Sequence, residues 1–234
     1  MRACWTTGVA LAVGVFGVVA PVRAVIVPYT EEFTSDSANW ANFNTSGLLT
    51  HVASGGPDGG AYASGPLSFF ERTNDPPPVV HRARTDLNAS GGAFFGNWMT
   101  AGARKLRVHV RHDAPTPLNY FVRIASGFGF PGATAVAFQP VAGNQWTELV
   151  FDLSPTSPQI VTFEDSDWPT VFGNVTGLQF GVMTPGTLVN DQTVYAFDLD
   201  RVTVVPEPSS LVLVVVAGAF AWLPRRVTRG RGRC

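Results

Sequence analysis

The chain has 234 residues, 45% of them apolar, with 16 Lys and Arg against 17 Asp and Glu and two cysteines. Seven of the basic residues (Arg2, Arg23 and Arg225, Arg226, Arg229, Arg231 and Arg233) and both cysteines (Cys4 and Cys234) lie in the terminal segments. Residues 25–205 therefore carry nine basic and sixteen acidic side chains, a formal charge near −7 and no disulfide, which excludes nucleic acid as a partner and leaves one ordinary core built without staples.

The N-terminus reads as an export signal. Arg2 gives the positive end, Val9 to Ala20 the apolar region, and Val22-Arg23-Ala24 a small-residue cleavage site. Cleavage is expected after Ala24, so residues 1–24 form a signal peptide. The apolar region is short for a permanent anchor.

From Val25 to Val205 the pattern is β throughout. In Lys105–His112, Leu106, Val108 and Val110 alternate with Arg107, His109 and Arg111. Tyr120, Val122 and Ile124 alternate with Phe121 and Arg123. Leu149, Phe151 and Leu153 share one face of Trp146–Leu153, and Leu178, Phe180 and Val182 share one face of Gly177–Thr184. Thr193–Val205 is a further long strand. Period-two alternation with one apolar face marks half-buried antiparallel strands. Clusters of Gly, Pro, Asn and Asp separate them, at Ser54–Gly60, Asp75–Pro78 and Gly127–Gly132. Phe94–Ala103 accommodates one short helical turn. The expected fold is all-β, an antiparallel sandwich or jelly roll occupying 25–205.

Motifs that carry chemistry are few. Gly127-Phe128-Gly129-Phe130-Pro131-Gly132 has dinucleotide-loop spacing, but a strand candidate follows it, so it reads as a turn. His109 and His112 fall on opposite strand faces and make no zinc pair. Glu164-Asp165-Ser166-Asp167-Trp168 reads as an acidic surface loop, with a cation loop or sugar-stacking edge as alternatives. Trp40, Trp98, Trp146 and Trp168 include candidates for a sugar platform, although most large aromatics belong to cores. G-x-S-x-G, H-E-x-x-H and a nucleophilic cysteine are all lacking, so the chain is read as non-enzymatic. Tyr195, Phe197 and Leu199 share one parity while Val202 and Val204 share the other, so the last strand slips within Asp198–Arg201, as a bulge requires.

The end of the chain has three parts: Pro206-Glu207-Pro208, an apolar run over 209–223 that is uncharged, and an arginine-rich terminus over 225–234. Charge-free apolar sequence followed by basic residues reads as a membrane helix with a cytoplasmic basic end, although 13 residues from Leu211 to Leu223 are short of a full span. This segment resembles the PEP-CTERM sorting tail, named for Pro206-Glu207-Pro208. The resemblance implies export to a Gram-negative cell envelope, single-pass membrane retention through the C-terminal helix, and processing by an exosortase. Residues 206–234 are accordingly taken as a sorting tail.

The central part carries a second resemblance. Glu31-Glu32-Phe33, Trp40, Gly55-Gly56-Pro57-Asp58-Gly59-Gly60, Trp146-Thr147-Glu148-Leu149 and Asp198-Leu199-Asp200-Arg201-Val202 follow in an order similar to the galactose-binding-like jelly roll of many carbohydrate-binding modules. The resemblance implies a structural calcium held by Glu32, the Gly55–Gly60 loop and Asp200, hard oxygen ligands of the kind calcium takes. The competing reading is two solvated aspartates on an edge strand. The leading functional expectation is a structural or interaction component of the cell surface or exopolysaccharide matrix. A carbohydrate-binding module with polysaccharide as partner is the alternative, and a polysaccharide-active enzyme stands third.

Overall fold

The structure, a computed structural model, describes residues 24–43 and 47–206. The expected signal peptide and the expected sorting tail beyond Pro206, including Glu207 and Pro208, lie outside those residues. Ala24, the expected cleavage residue, is the first described and is exposed, and Pro206 ends the last strand opposite Ala103. Among the described residues no helix is long and apolar enough to cross a membrane.

The alternating segments form strands. In chain order they are β1 (Tyr29–Glu31), β2 (Ala41–Asn42), β3 (Thr50–Val52), β4 (Tyr62–Ser68), β5 (Val79–Arg84), β6 (Ala103–His112), β7 (Tyr120–Ser126), β8 (Gly132–Val136), β9 (Thr147–Asp152), β10 (Ile160–Thr162), β11 (Val175–Val182) and β12 (Val194–Pro206). They make two six-stranded antiparallel sheets. One runs β3-β4-β12-β6-β9, with β1 also paired to β12; the other runs β10-β8-β7-β11-β5-β2. The long β12 is the spine of the first sheet. Its first half pairs with β4 and its second half with β1, while β6 flanks it on the other side.

The sheets close over one apolar core, as an antiparallel sandwich must to bury one face of each sheet. Leu106, Val108, Val110, Phe151, Phe197 and Leu199 meet Val122, Ile124, Leu178 and Phe180 from the opposite sheet, all buried. Phe151 and Phe180 touch across the gap, ring centroids 6.3 Å apart, and Trp40 stacks on Phe180 at 6.1 Å. Each such aromatic contributes roughly 1.5–3 kcal/mol through burial. The Trp40 indole N–H keeps a partner inside the core by donating to Ser90 Oγ at 2.8 Å.

Two short helices complete the fold. The first, α1 (Trp98–Ala101), is the turn expected within Phe94–Ala103 and is capped by the Asn97 carboxamide, which accepts the Thr100 N–H at 2.9 Å. The second, α2 (Trp168–Phe172), begins where an acidic loop was expected. Asp167 is its N-cap, accepting the Thr170 N–H at 2.9 Å, and the Trp168 ring stacks on Phe172 in the core with centroids 4.9 Å apart. Trp168 is thus a core residue rather than a sugar-stacking edge.

Candidate functional site

Strands β5, β11, β7 and β8 lie side by side, and register alone arranges their outward residues in rows. Arg82 of β5 faces Gln179 of β11, Gln179 faces Arg123 of β7, and Arg123 faces Thr134 of β8. The next row is Arg84, Gly177, Ala125 and Gly132, and a third is Val79, Gly181, Phe121 and Val136. Same-face neighbours in such rows stand about 5 Å apart, close enough for one ligand to span several. The inward partners on the same strands are the core residues Val122, Ile124, Leu178 and Phe180, and on the outer face Phe121 and Ala125 are buried too, leaving the Arg82–Gln179 end of the rows open.

Strand β11 presents glycine at two outward positions, with different consequences. At Gly181 a Cβ would stand 2.3 Å from the Phe121 ring and 2.4 Å from the Pro78 carbonyl oxygen, so no larger residue fits. Gly177 and Gln179 instead line a cleft of about 490 Å³ together with Arg82, Arg84 and Phe128. Phe128 projects fully into solvent from the β7–β8 turn, and Phe130 in the same turn is 66% exposed. Phe43 (47% exposed) and Phe138 (67%) add two more exposed rings. The Phe43 ring lies 5.2 Å from the Arg82 guanidinium.

The polar groups of the cleft are unequally engaged. Arg123 is held by Glu164, Nε to Oε1 and Nη2 to Oε2 both at 2.5 Å, and its Nη2 also donates to the Gly129 carbonyl at 2.8 Å. Arg84 is paired with Asp86. Arg82 has no carboxylate within ion-pair distance among the described residues, and its Nε is sealed from water without a hydrogen-bond partner. Burial and the Arg84 guanidinium depress its pKa, Asp86 opposes them, and Arg123 adds to the depression. Gln179 is buried as a residue, but its carboxamide forms no hydrogen bond within the described chain and still reaches solvent. Chemically the cleft offers an amide that both donates and accepts, fixed guanidinium donors, and apolar rings at its rim.

A second site sits on the outer face of the other sheet. The slip foreseen in β12 is there: the register with β6 shifts between Asp200 and Thr203, and Arg201 has φ 50°. Asp198 and Asp200 are buried residues of a central strand, not solvated residues on an edge. Asp198 accepts from Arg111 Nε at 2.8 Å. Asp200 Oδ1 accepts the Arg201 N–H at 2.7 Å, while its other oxygen lies under the glycine loop. A Cβ on Gly56 would meet the carbonyl oxygens of Gly60 at 3.0 Å and Ala61 at 3.1 Å, and Asp200 Oδ2 at 3.1 Å. The loop is pinned over the carboxylate through the Gly55 carbonyl, which accepts from Trp146 Nε1 at 2.9 Å and Arg111 Nη1 at 3.3 Å. Arg111 lies 5.0 Å from the Tyr62 ring centroid and 4.7 Å from that of Trp146.

Burial pushes the Asp200 carboxyl up to about 7; the Arg201 N–H and guanidinium oppose the rise, and Asp58 and Glu32 add to it. Glu32 is exposed and near enough for its charge to act on Asp200. The glycine loop and Asp200 stand together, while Glu32 bears on Asp200 through its charge alone. Among the described residues no three acidic, histidine or cysteine side chains converge as a metal cluster, so a cation here would depend on carbonyl oxygens. The cradle around Gly56 and the buried carboxylate oxygen fit that requirement.

Sequence reasoning did not find the arginine–glutamine row. It named tryptophans as the aromatic candidates, whereas Trp40 and Trp98 are fully buried and Trp146 is a half-buried clamp on the glycine loop. The signal available was the exposed position of two phenylalanines in a glycine turn, where a core has no use for them.

No protein-family model matches the chain, and no curated protein matches it in sequence. Among solved structures, the CBM22-1–GH10 modules of Clostridium thermocellum endo-1,4-β-D-xylanase 10B, complexed with xylohexaose, are 16% identical with a TM-score of 0.47. They are matched over 77% of this chain, which spans only 28% of theirs. The family 11 carbohydrate-binding module of Clostridium thermocellum, in complex with a β-1,3-1,4-mixed-linked tetrasaccharide, is 11% identical with a TM-score of 0.42, over 77% of this chain and 97% of that one. The CBM22-2 xylan-binding domain from Paenibacillus barcinonensis Xyn10C is 10% identical with a TM-score of 0.45, over 76% and 99%. At such identities these are likenesses of fold, and the ligands are those proteins' own.

Proposed function

We propose that this chain is a carbohydrate-binding protein, and that the outer face of the β10-β8-β7-β11-β5-β2 sheet is its binding surface. The observation that carries the reading is Gln179. Its carboxamide forms no hydrogen bond within the described chain, reaches solvent, and stands in register between two arginines, at the floor of a cleft rimmed by an exposed phenylalanine. A sugar chain supplies what this one lacks, because hydroxyls both donate and accept and the C–H faces of the rings pack on aromatic side chains. The two carboxylates beside the cleft, Asp86 and Glu164, are engaged by Arg84 and Arg123.

In this reading the domain acts outside the cell. The export signal and PEP-CTERM-like tail make it an envelope-attached component, placed by an exosortase-type system where polysaccharide of the surface or matrix is within reach. Asp200, the carbonyls of Gly60 and Ala61, and Glu32 would hold a calcium ion that fixes the glycine loop and ties β1 to β12. The test is a glycan array probed with the full-length chain: binding to a defined set of oligosaccharides is expected. An array without binding, supported by absence of retention on polysaccharide affinity gels, would refute the reading.

A further inference from the structure

The cleft is more cationic than its own carboxylates can balance. Three guanidinium groups, Arg82, Arg84 and Arg123, occupy two adjacent cross-strand rows of one face. Asp86 pairs with Arg84 and Glu164 with Arg123. Arg82 is left over, half-buried, with no ion-pair partner among the described residues. This excess lies on a domain of formal charge near −7, so it runs against the general field of the molecule. A cation that is partly removed from water and lacks a counter-charge is costly unless a ligand supplies one. The Phe43 ring covers a face of the guanidinium without neutralising it.

We infer that the ligand of this face is an acidic polysaccharide, and that a uronate carboxylate docks at Arg82 beside Gln179. The inference rests on the carbohydrate-binding reading and narrows it to a substrate class. Guanidinium and carboxylate are both planar and match as a two-bond fork, which a neutral hydroxyl cannot offer. The Gln179 amide then serves the neighbouring hydroxyl, and the exposed rim phenylalanines pack against the sugar ring. Arg84 contributes indirectly, because it holds Asp86 away from Arg82. Burial first, and then the Arg84 guanidinium, depress the Arg82 pKa, which a docked carboxylate would oppose.

The experiment measures retention of the full-length chain on affinity gels containing polygalacturonate or glucuronoxylan, each against its carboxyl-reduced counterpart, with polyglutamate as a sugar-free polyanion. Binding at least tenfold tighter to one acidic polymer than to its reduced form is expected. The preference should weaken as salt rises, and polyglutamate should bind poorly. Arg82→Gln should abolish the preference while retaining the neutral component of binding. Arg84→Gln, which frees Asp86 to neutralise Arg82, should lower the preference too, so the outcome does not hinge on one variant's folding. Equal affinity for acidic and reduced polymers would overturn the inference and leave the carbohydrate reading standing. Binding to polyglutamate as tight as to the acidic polysaccharides would overturn it in favour of charge alone. Absence of binding to every polymer would bring down both.

Discussion

Gln179 and Arg82 face each other in register across β11 and β5; the Gln179 carboxamide forms no hydrogen bond within the described chain, and Arg82 has no ion-pair partner there. Two underused polar groups side by side on an outer sheet face are unusual, because a fold has no structural use for them there. The residues around them supply the contrast. Arg123, one strand further, is fully engaged by Glu164 and Gly129.

The glycine floor should be intolerant of substitution. Gly181→Ala drives a methyl to 2.3 Å from the Phe121 ring and 2.4 Å from the Pro78 carbonyl, and the backbone atom cannot move aside. A loss of about 1–3 kcal/mol is expected, the usual cost of overpacking. Gly177→Ala, whose nearest contact would be an ordinary 3.4 Å, should cost much less in folding but crowd the cleft. Thermal melts of the two variants, together with affinity-gel retention, test the distinction.

Acid should destabilise the sandwich through His81. The ring is fully buried, its Nε2–H donates to the Phe197 carbonyl at 2.9 Å, and burial lowers its pKa from 6.5 to about 4, against that hydrogen bond and the Asp198 charge. The unfolded state therefore binds the proton more readily. Stability from this group is complete above 6.5 and is lost progressively as pH falls toward 4. The total is about 3 kcal/mol. His81→Gln keeps a donor for Phe197 and cannot titrate. The difference between wild type and variant, measured by denaturant melts, should shrink or invert across that window. A constant difference would show that His81 does not drive the acid response.

Calcium should stabilise the fold through Asp200. With a hundredfold excess over Kd, a ligand of the folded state adds about 2.7 kcal/mol. Melts in chelator and in millimolar calcium should separate for wild type and coincide for Asp200→Asn. The effect should fade as pH drops below about 7, where the raised Asp200 carboxyl takes up its proton. Without calcium the same group acts in the opposite sense, stability falling as pH rises from 3.8 to about 7. Magnesium, smaller and stricter in geometry, should substitute poorly.

Maturation is open to direct test as well. The signal and tail readings predict that envelope material lacks residues 1–24 and has been cut near Pro206-Glu207-Pro208. Intact-mass analysis would detect both events. A mature form that still ends at Cys234 would argue against processing of the tail.

What the sequence revealed and what it hid follow from the same geometry. Alternation in Leu106–Val110 or Leu178–Val182 reports which side chains face the core, and those assignments agree with the structure. The parity change before Val202 located the β12 bulge, because a bulge is a local event. The Arg82–Gln179–Arg123 row is different in kind. It exists only once β5, β11 and β7 become neighbours, and one strand's parity says nothing about which strand lies beside it. The two-residue β2 and the five-residue α2 were missed for another reason: such short elements carry too few residues to show a period. The candidate calcium residues were placed by their resemblance to a family, since three acids and a glycine loop scattered along a chain declare no shared location.

The central claim is that this one sheet face binds sugar, and its most direct test uses Gln179. The polysaccharide that retains the full-length chain most strongly should be run against Gln179→Ala, with Arg107→Ala on the opposite sheet as control. Arg107 pairs only loosely with Glu148, at 3.6 Å on an exposed surface, and should matter to neither folding nor binding. The account predicts that Gln179→Ala weakens retention about tenfold, the loss of one or two hydrogen bonds, with an unchanged melting temperature, and that Arg107→Ala behaves as wild type. Undiminished binding by Gln179→Ala, or a loss confined to Arg107→Ala, would contradict it.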